Sequence, residues 1–315
     1  MKHRIFILFL CLCLLLCGCS TEGSPAPSPS EDAFSFTDDL GRTVTIDRPQ
    51  RVAALLGSFA QIWMLAGGDV VATPDDAWDD LHLPLSDSVQ NLGGTKNLSL
   101  ELLLASNPDF ILASANTRQH IEWQETLTAS GIPTAYFDVA NFDDYLRLLK
   151  LCTDITGRSD LFELYGTAVQ SQIEAVFARN AARLAETEPP TVLCMRSSAS
   201  KLTVKNSENN VLGEMLASLG CINIADSDTS LLENLSIERI IEADPDYIFI
   251  VQQGDDEAGM RQLVEQTLDD PLWQSLSAVQ NSRFYIMDKN LFNLKPNHRW
   301  AEAYEILEGI LANAK

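Results

Sequence analysis

The sequence predicts an α/β fold: two related α/β lobes with mainly parallel sheets, joined by one long helix. Three observations carry that prediction. A segment running from Asn97-Leu-Ser-Leu-Glu101 to Pro108-Asp109-Phe-Ile-Leu-Ala113 returns as Asn234-Leu-Ser-Ile-Glu238 to Pro245-Asp246-Tyr-Ile-Phe-Ile250, with seven of seventeen positions identical. Around each copy, helical patterns alternate with strands apolar enough to be buried on both faces, as parallel strands are. Between the copies, Ser159 to Glu186 sets Leu161, Tyr165, Val169, Ile173 and Val176 or Phe177 on one helical stripe without a proline.

Taken in chain order, Met1 to Arg4 is basic, Ile5 to Cys17 is an unbroken apolar run, and Gly18 is a small residue before Cys19. The run is too short to span a bilayer comfortably. Leu16-Cys17-Gly18-Cys19 resembles a bacterial lipobox, so residues 1–18 read as a lipoprotein signal and Cys19 as the lipid attachment point. An ordinary cleaved signal and an uncleaved anchor are the alternatives. After Cys19, residues 20–33 are Ser, Pro, Gly, Thr, Ala and acids, with too little apolar surface to offset the entropy of ordering, and 19–33 reads as a flexible stalk.

The first lobe, 34–156, opens with a hairpin, Ala33 to Phe36 and Thr43 to Ile46 around Asp39-Leu-Gly41. It continues with a strand at Arg51 to Leu56, a helix at Ala60 to Ala66 ending in Gly67-Gly68, and a strand at Val70 to Ala72. In each repeat copy a serine N-cap starts a single helix, and Asn107-Pro108 or Asp244-Pro245 breaks it before an apolar strand. The linking segment, residues 157–188, is filled by the helix Ser159 to Glu186, about 40 Å long at ~1.5 Å per residue, and Glu188-Pro189-Pro190 ends it. Such a connection allows only modest lobe closure. The second lobe, 189–315, gives a strand at Thr191 to Met195, a helix at Val211 to Leu219 ending in Gly220, and a strand at Cys221 to Ala225.

The net charge of −22 is spread along the chain, which favours solubility and argues against a nucleic-acid partner. Of seven cysteines, Cys11, Cys13 and Cys17 fall in the signal and Cys19 takes the lipid. Cys152, Cys194 and Cys221 remain, in apolar neighbourhoods, and read as small buried hydrophobes; one disulfide pair is the alternative.

The residues resemble the periplasmic-binding-protein class that serves ATP-driven importers of iron siderophores, haem and cobalamin, from about Phe34 to Leu311. The resemblance rests on Phe36-Thr-Asp-Asp-Leu-Gly-Arg-Thr-Val44, Pro49-Gln-Arg-Val52, both Asn-Leu-Ser-x-Glu copies and both Pro-Asp strands. Asp270-Pro-Leu-Trp273, Leu276-x-Ala-Val279 and Lys295-Pro-Asn-His-Arg-Trp300 extend it. It implies a non-enzymatic receptor that holds a ferric chelate between two lobes, with no covalent cofactor beyond the lipid. It also implies an ABC permease dimer with a cytoplasmic ATPase as partner, and an extracytoplasmic, membrane-anchored location. The family's docking carboxylates match Glu101 and Glu238, whose matched occurrence in both lobes fits a symmetric partner; a helix-start acid stabilised with no partner is the alternative.

Ligand contacts in α/β lobes come from loops at the C-terminal ends of strands. That rule selects Ser58, Phe59, Trp78, Asn116 and Arg118 in the first lobe, and Arg196, Gln252 and Asn293 in the second. Arg196, directly after an apolar strand, is the strongest of these, because a charge there suits an anionic chelate. Trp63, Trp273 and Trp300 read as packing, and Arg118 alternatively as a solvated loop charge.

Among other classes, a metal-ion receptor needs more ligands than His82, His120 and His298 supply, although His82 alone could ligate haem. A haem or cobalamin receptor of the same architecture is the nearest alternative. A membrane-tethered hydrolase is the alternative of another class, but G-x-S-x-G, H-E-x-x-H, Walker and G-x-G-x-x-G strings are all missing. Asp75, Asp76, Asp79 and Asp80 share one loop and read as solvated or cation-screening, with Ca²⁺ as the bound-ion variant. A purely adhesive role is disfavoured by the duplicated lobes.

Overall fold

A computed structural model describes residues 33–208, 210–253 and 256–313. The expected signal, the expected stalk as far as residue 32, and Cys19 lie outside the described residues. From Phe34 onward the chain forms one compact unit. No described helix is long and apolar enough to cross a membrane.

The hairpin forms as expected, from β1 (Ala33–Thr37) and β2 (Thr43–Asp47), with Gly41 at φ +75° in the turn where a side chain would be strained. Its buried Asp38 accepts from the backbone of Leu40 and Arg42, from the Arg42 guanidinium at 2.6 Å, and from Tyr136 N. Asp38 thereby satisfies part of an otherwise open sheet edge, that of β7 below.

The first-lobe sheet is entirely parallel, in the order β5 (Gln90–Asn91), β4 (Val70–Thr73), β3 (Val52–Ala54), β6 (Phe110–Ser114), β7 (Thr134–Phe137). The second lobe orders β10 (Ile222–Asn223), β8 (Thr191–Ser197), β11 (Tyr247–Gln252), β12 (Phe284–Met287) in parallel, with β9 (Leu202–Lys205) antiparallel on β8. Each lobe thus starts its sheet in the middle and builds outward both ways.

The duplicated segment does the same structural work twice. Ser99 accepts from Leu102 N to start the helix Leu100–Ala105, and Ser236 accepts from Arg239 N to start Ile237–Ala243. Both helices stop at a left-handed residue before proline, Asn107 at φ +48° and Asp244 at φ +37°, residue types that tolerate that region. The aspartates of the two Pro-Asp pairs then pin the start of each lobe's first parallel strand. Asp109 accepts from Gln50 N and Arg51 N at 2.8 and 2.9 Å, and Asp246 accepts from Thr191 N and Oγ1, both at 2.8 Å.

The linking helix runs as Ser159–Phe162, a π turn Glu163–Thr167, and Ala168–Leu184. The π turn coincides with Gly166, whose missing Cβ would meet Leu146 and Phe162 at 3.0 Å, and with the Tyr165 carbonyl, which accepts from Tyr145 Oη at 2.9 Å. One apolar core runs from Phe110 and Trp63 in the first lobe, past Val169, Ile173 and Val176, to Cys194, Phe249 and Trp300.

Three expectations are corrected. The strand expected over Cys221 to Ala225 is only Ile222–Asn223, because Asn223 caps a new helix, Ile224–Ser227, by accepting from Ala225 N. A hairpin partner, β9, follows β8 and was not anticipated. Finally, the end of the chain, expected with the second lobe alone, also reaches the first lobe from Asn297 onward. Asn297 donates to Ser58 O and Gln61 Oε1 at 3.0 and 2.7 Å, and Trp300 lies edge-on to Phe142.

The three cysteines are free, buried and pushed above the ordinary thiol range by burial. Strand register sets Ile222 opposite Thr191, so Cys221 lies four positions along from Cys194. At ~3.3 Å per residue that is about 13 Å, too far for a disulfide.

Candidate ligand cleft

In open α/β sheets a ligand crevice forms outside the C-terminal ends of the strands, where successive crossovers leave to opposite faces. Both lobes have one. In the first, β3 feeds the helix Gly57–Leu65 on the face of the shared core, whereas β6 feeds Arg118–Glu122 and Gln124–Ala129 on the other face. The crevice between β3 and β6 is bounded by Ser58 and Asn116. In the second, β8 and β11 stay paired through Arg196, Ser197 and Gln252, with Gln253 N bonded to Ser197 O at 2.8 Å, and the crevice lies beyond that end. The two sets of strand ends approach each other directly: Asp80, beyond β4, pairs with Lys289, beyond β12, at 2.5 Å.

The candidate residues fare differently. Phe59 has no exposed surface and Ser58 is buried. Both lie in the first turn of a helix that starts at Gly57, three residues earlier than expected, because the Asp76 carboxylate accepts from Gly57 N with both oxygens at 3.1 Å. Phe59 therefore belongs to the core, not to a cleft wall. Trp78 is half-buried in the helix Asp76–Asp79 and stays at the strand ends. Asn116 is exposed. Arg118 is also exposed and already paired with Glu122 at 2.7 Å one turn along its helix, so its charge is spoken for. Asn293 is half-buried just after the helix Lys289–Phe292. Gln252 helps line a cavity of about 330 Å³ with Arg261, Ile286, Met287 and Asp288.

Arg196 is the last but one residue of β8, not the residue after it, since β9 extends the pairing to Ser197. Its Nε is buried without a hydrogen bond, and no ion pair engages its guanidinium among the described residues. Burial lowers its pKa from the usual guanidinium value. Lys205 opposes Cys194 and so shares a sheet face with Arg196 two positions on. Its pKa falls through burial first, then through the charges of Arg196 and Lys201. Three cations thus converge here, and the most buried of them lacks an anion.

Sequence reasoning missed Lys205 because it missed β9; the alternation Leu202-Thr-Val-Lys205 after a polar turn was the available signal. Lys295 was missed as well. Its ammonium lies 5.9 Å from the centre of the Phe59 ring, and desolvation by burial lowers its pKa although Asp138, Asp144 and Asp76 oppose that shift. The aspartate loop also departs from expectation. Asp76 is not simply solvated: burial, with Asp80 and Asp75 adding repulsion, outweighs the Gly57 hydrogen bond and raises its pKa to about 6. Among the described residues no group of three or more His, Cys, Asp or Glu side chains is arranged to hold a metal ion.

Glu101 and Glu238 are both exposed in the first turns of their helices. Exposed Leu102 and Leu104 flank the first, and exposed Leu232 and Leu235 precede the second. Glu238 is held below the usual carboxylate range by its own backbone N–H and by the Ser236 hydroxyl.

A family model described as periplasmic binding protein matches residues 52–291. The chain belongs to that family. Its two-lobed architecture recurs in solved structures. The Staphylococcus aureus SirA protein complexed with staphyloferrin B superposes with a TM-score of 0.68 at 21% identity, covering 89% of this chain and 98% of that one. The apo periplasmic haem-binding protein RhuT from Roseiflexus gives 0.67 at 22% identity, covering 84% and 98%. Among curated relatives, the Fe(3+)-citrate-binding protein YfmC of Bacillus subtilis is 25% identical over 257 residues, 80% of this chain and 78% of its own length. This periplasmic binding protein is therefore a ligand-binding member of a non-enzymatic family.

Proposed function

We propose that this periplasmic binding protein is the substrate-binding lipoprotein of an ABC importer, capturing a ferric siderophore or similar anionic ferric chelate between its lobes. The unpaired, half-buried Arg196 guanidinium, with Lys205 on the same sheet face, is the observation that carries the reading. Burying a cation without a partner is costly, and an anionic ligand relieves the cost. The curated relative that binds ferric citrate supports the same ligand class.

In this reading Cys19 carries the lipid that holds the protein on the outer side of a membrane, and the stalk gives it reach. Glu101 and Glu238, each with apolar neighbours, dock one lobe apiece onto a permease dimer served by a cytoplasmic ATPase. Rim carboxylates of this kind set register and association rate. Trp78, Asn116, Gln252 and Asn293 contribute the remaining cleft surface, Asp76 and Lys295 its charged floor.

A haem receptor is the second reading, favoured by one observation. His82 is exposed at φ +47°, and its Nδ1 is bonded to Trp78 O at 2.8 Å, which fixes the ring and makes Nε2 the nitrogen available to a metal. Titrating the protein with ferric citrate, carboxylate siderophores, haem and cobalamin, followed by tryptophan fluorescence, tests both. Saturable binding of an anionic ferric chelate is expected. A Soret shift abolished by His82→Ala, with no chelate bound, would establish the haem reading instead.

A further inference from the structure

The lobes are clasped at their strand ends by a contact that needs no ligand. Lys289 and Asn290 begin the helix Lys289–Phe292, which Leu291 and Phe292, 3% and 2% exposed, anchor in the core against β11. Asp288 fixes the orientation of that helix by accepting from Asn290 N at 2.7 Å and Leu291 N at 3.2 Å. From there Lys289 Nζ reaches the Asp80 carboxylate at 2.5 Å, and Asn290 Nδ2 donates to the Asp80 carbonyl at 3.1 Å.

Asp80 is thus gripped by side chain and main chain at once, from the opposite lobe. The two charged side chains are only 17% and 18% exposed, unlike the solvated ion pairs elsewhere on the chain, such as Arg118 with Glu122 at 92% and 55%. A pair withdrawn from water to this extent is felt far more when one partner is removed than a surface pair is. Asp80 caps the helix Asp76–Asp79, donating to Asp76 O, and that helix carries Trp78. At its other end Asp76 ties the same helix to Gly57 at the mouth of the first crevice.

We infer that Lys289 and Asn290 are positioning residues that hold the Trp78-bearing wall against the second lobe and so set the width of the cleft. Their meaning for ligand size rests on the proposed receptor function, but the clasp itself is measurable on the whole chain without ligand. The wall amides are hydrogen-bonded internally, Trp78 N and Asp79 N to Asp75 O and Asp80 N and Leu81 N to Asp76 O, so they exchange slowly while the clasp holds.

Hydrogen exchange read by mass spectrometry tests it. In Lys289→Gln, exchange over residues 77–83 rises about tenfold while β3 and β6 stay protected, and Asp80→Asn does the same. The charge-swapped double variant, Asp80→Lys with Lys289→Asp, returns exchange toward the wild-type rate. Exchange within twofold of wild type in both single variants, or a swap as mobile as the singles, overturns the inference. A rise spread evenly over the core, marking general destabilisation, overturns it as well. Binding of ferric citrate is measured separately on the same variants. Failure of the wild type to bind it counts against the receptor reading and leaves the exchange result standing.

Discussion

Replacing Arg196 by alanine pulls binding and stability in opposite directions, which makes it the most informative single substitution. Its guanidinium is withdrawn from water and makes no hydrogen bond at Nε, so the unliganded fold gains little from it and bears its desolvation. A charge-assisted hydrogen bond to an anionic ligand is worth about 1.5 to 3 kcal/mol. Taking about 2 kcal/mol, the dissociation constant for ferric citrate rises about thirtyfold. Arg196→Lys keeps the charge but loses the planar fork, and falls between the two. Isothermal titration gives the affinities and calorimetric melting gives the stabilities. In the alanine variant the melting temperature of the unliganded protein stays level or rises. Affinity within twofold of wild type, or a melting temperature that drops along with affinity, would refute the assignment by making Arg196 a structural residue.

Three further outcomes are expected. Reversing both Glu101 and Glu238 to arginine abolishes uptake in cells while the purified protein keeps its affinity; unchanged uptake retires docking through these residues. Asp246→Ala removes the acceptor for Thr191 N and Oγ1 and costs about 2 kcal/mol, a fall of about 4 to 8 °C in melting temperature, with Asp109→Ala similar. The acid response has two opposed parts. His120 is fully buried, accepts from Ser114 N at Nδ1, and has its pKa pushed down to about 4 by burial. Between its ordinary value near 6.5 and 4, the unfolded chain binds a proton that the native chain refuses, so stability falls as pH falls, by up to about 3 kcal/mol. Asp76, raised to about 6, binds a proton in the native state first, so stability falls as pH rises from about 4 to 6. Melting curves across this range separate them: His120→Gln gains on wild type toward low pH, and Asp76→Asn gains toward high pH.

What the sequence made legible follows from which interactions are local. Ser99 and Ser236 cap helices through atoms three residues away, and the prolines at 108 and 245 act on their immediate neighbours, so the repeat could be read without coordinates. The linking helix was legible from its stripe, although its π turn, which answers to Tyr145 on another helix, was not. The first-lobe helix starts at Gly57 because a carboxylate nineteen residues onward, Asp76, caps it, and a Cβ at Gly57 would meet Ala77 N at 2.8 Å. No window along the chain contains that cap, and so Phe59 was expected at the cleft when it is core. The chain after β12 escaped for the same reason. Asn290 and Asn297 find their partners more than two hundred residues away, at Asp80 and Ser58. Arg196 was legible as a charge ending an apolar strand, whereas its lack of a partner is visible only once the fold is closed around it.

The most direct test is hydrogen exchange of the protein with and without saturating ferric chelate. A ligand held between the lobes slows exchange at both crevices together, around residues 57–59 and 114–118 in one lobe and 196–198 and 252–253 in the other. Protection confined to one lobe, or to the outer face of the β11–β12 edge, would contradict capture in the cleft.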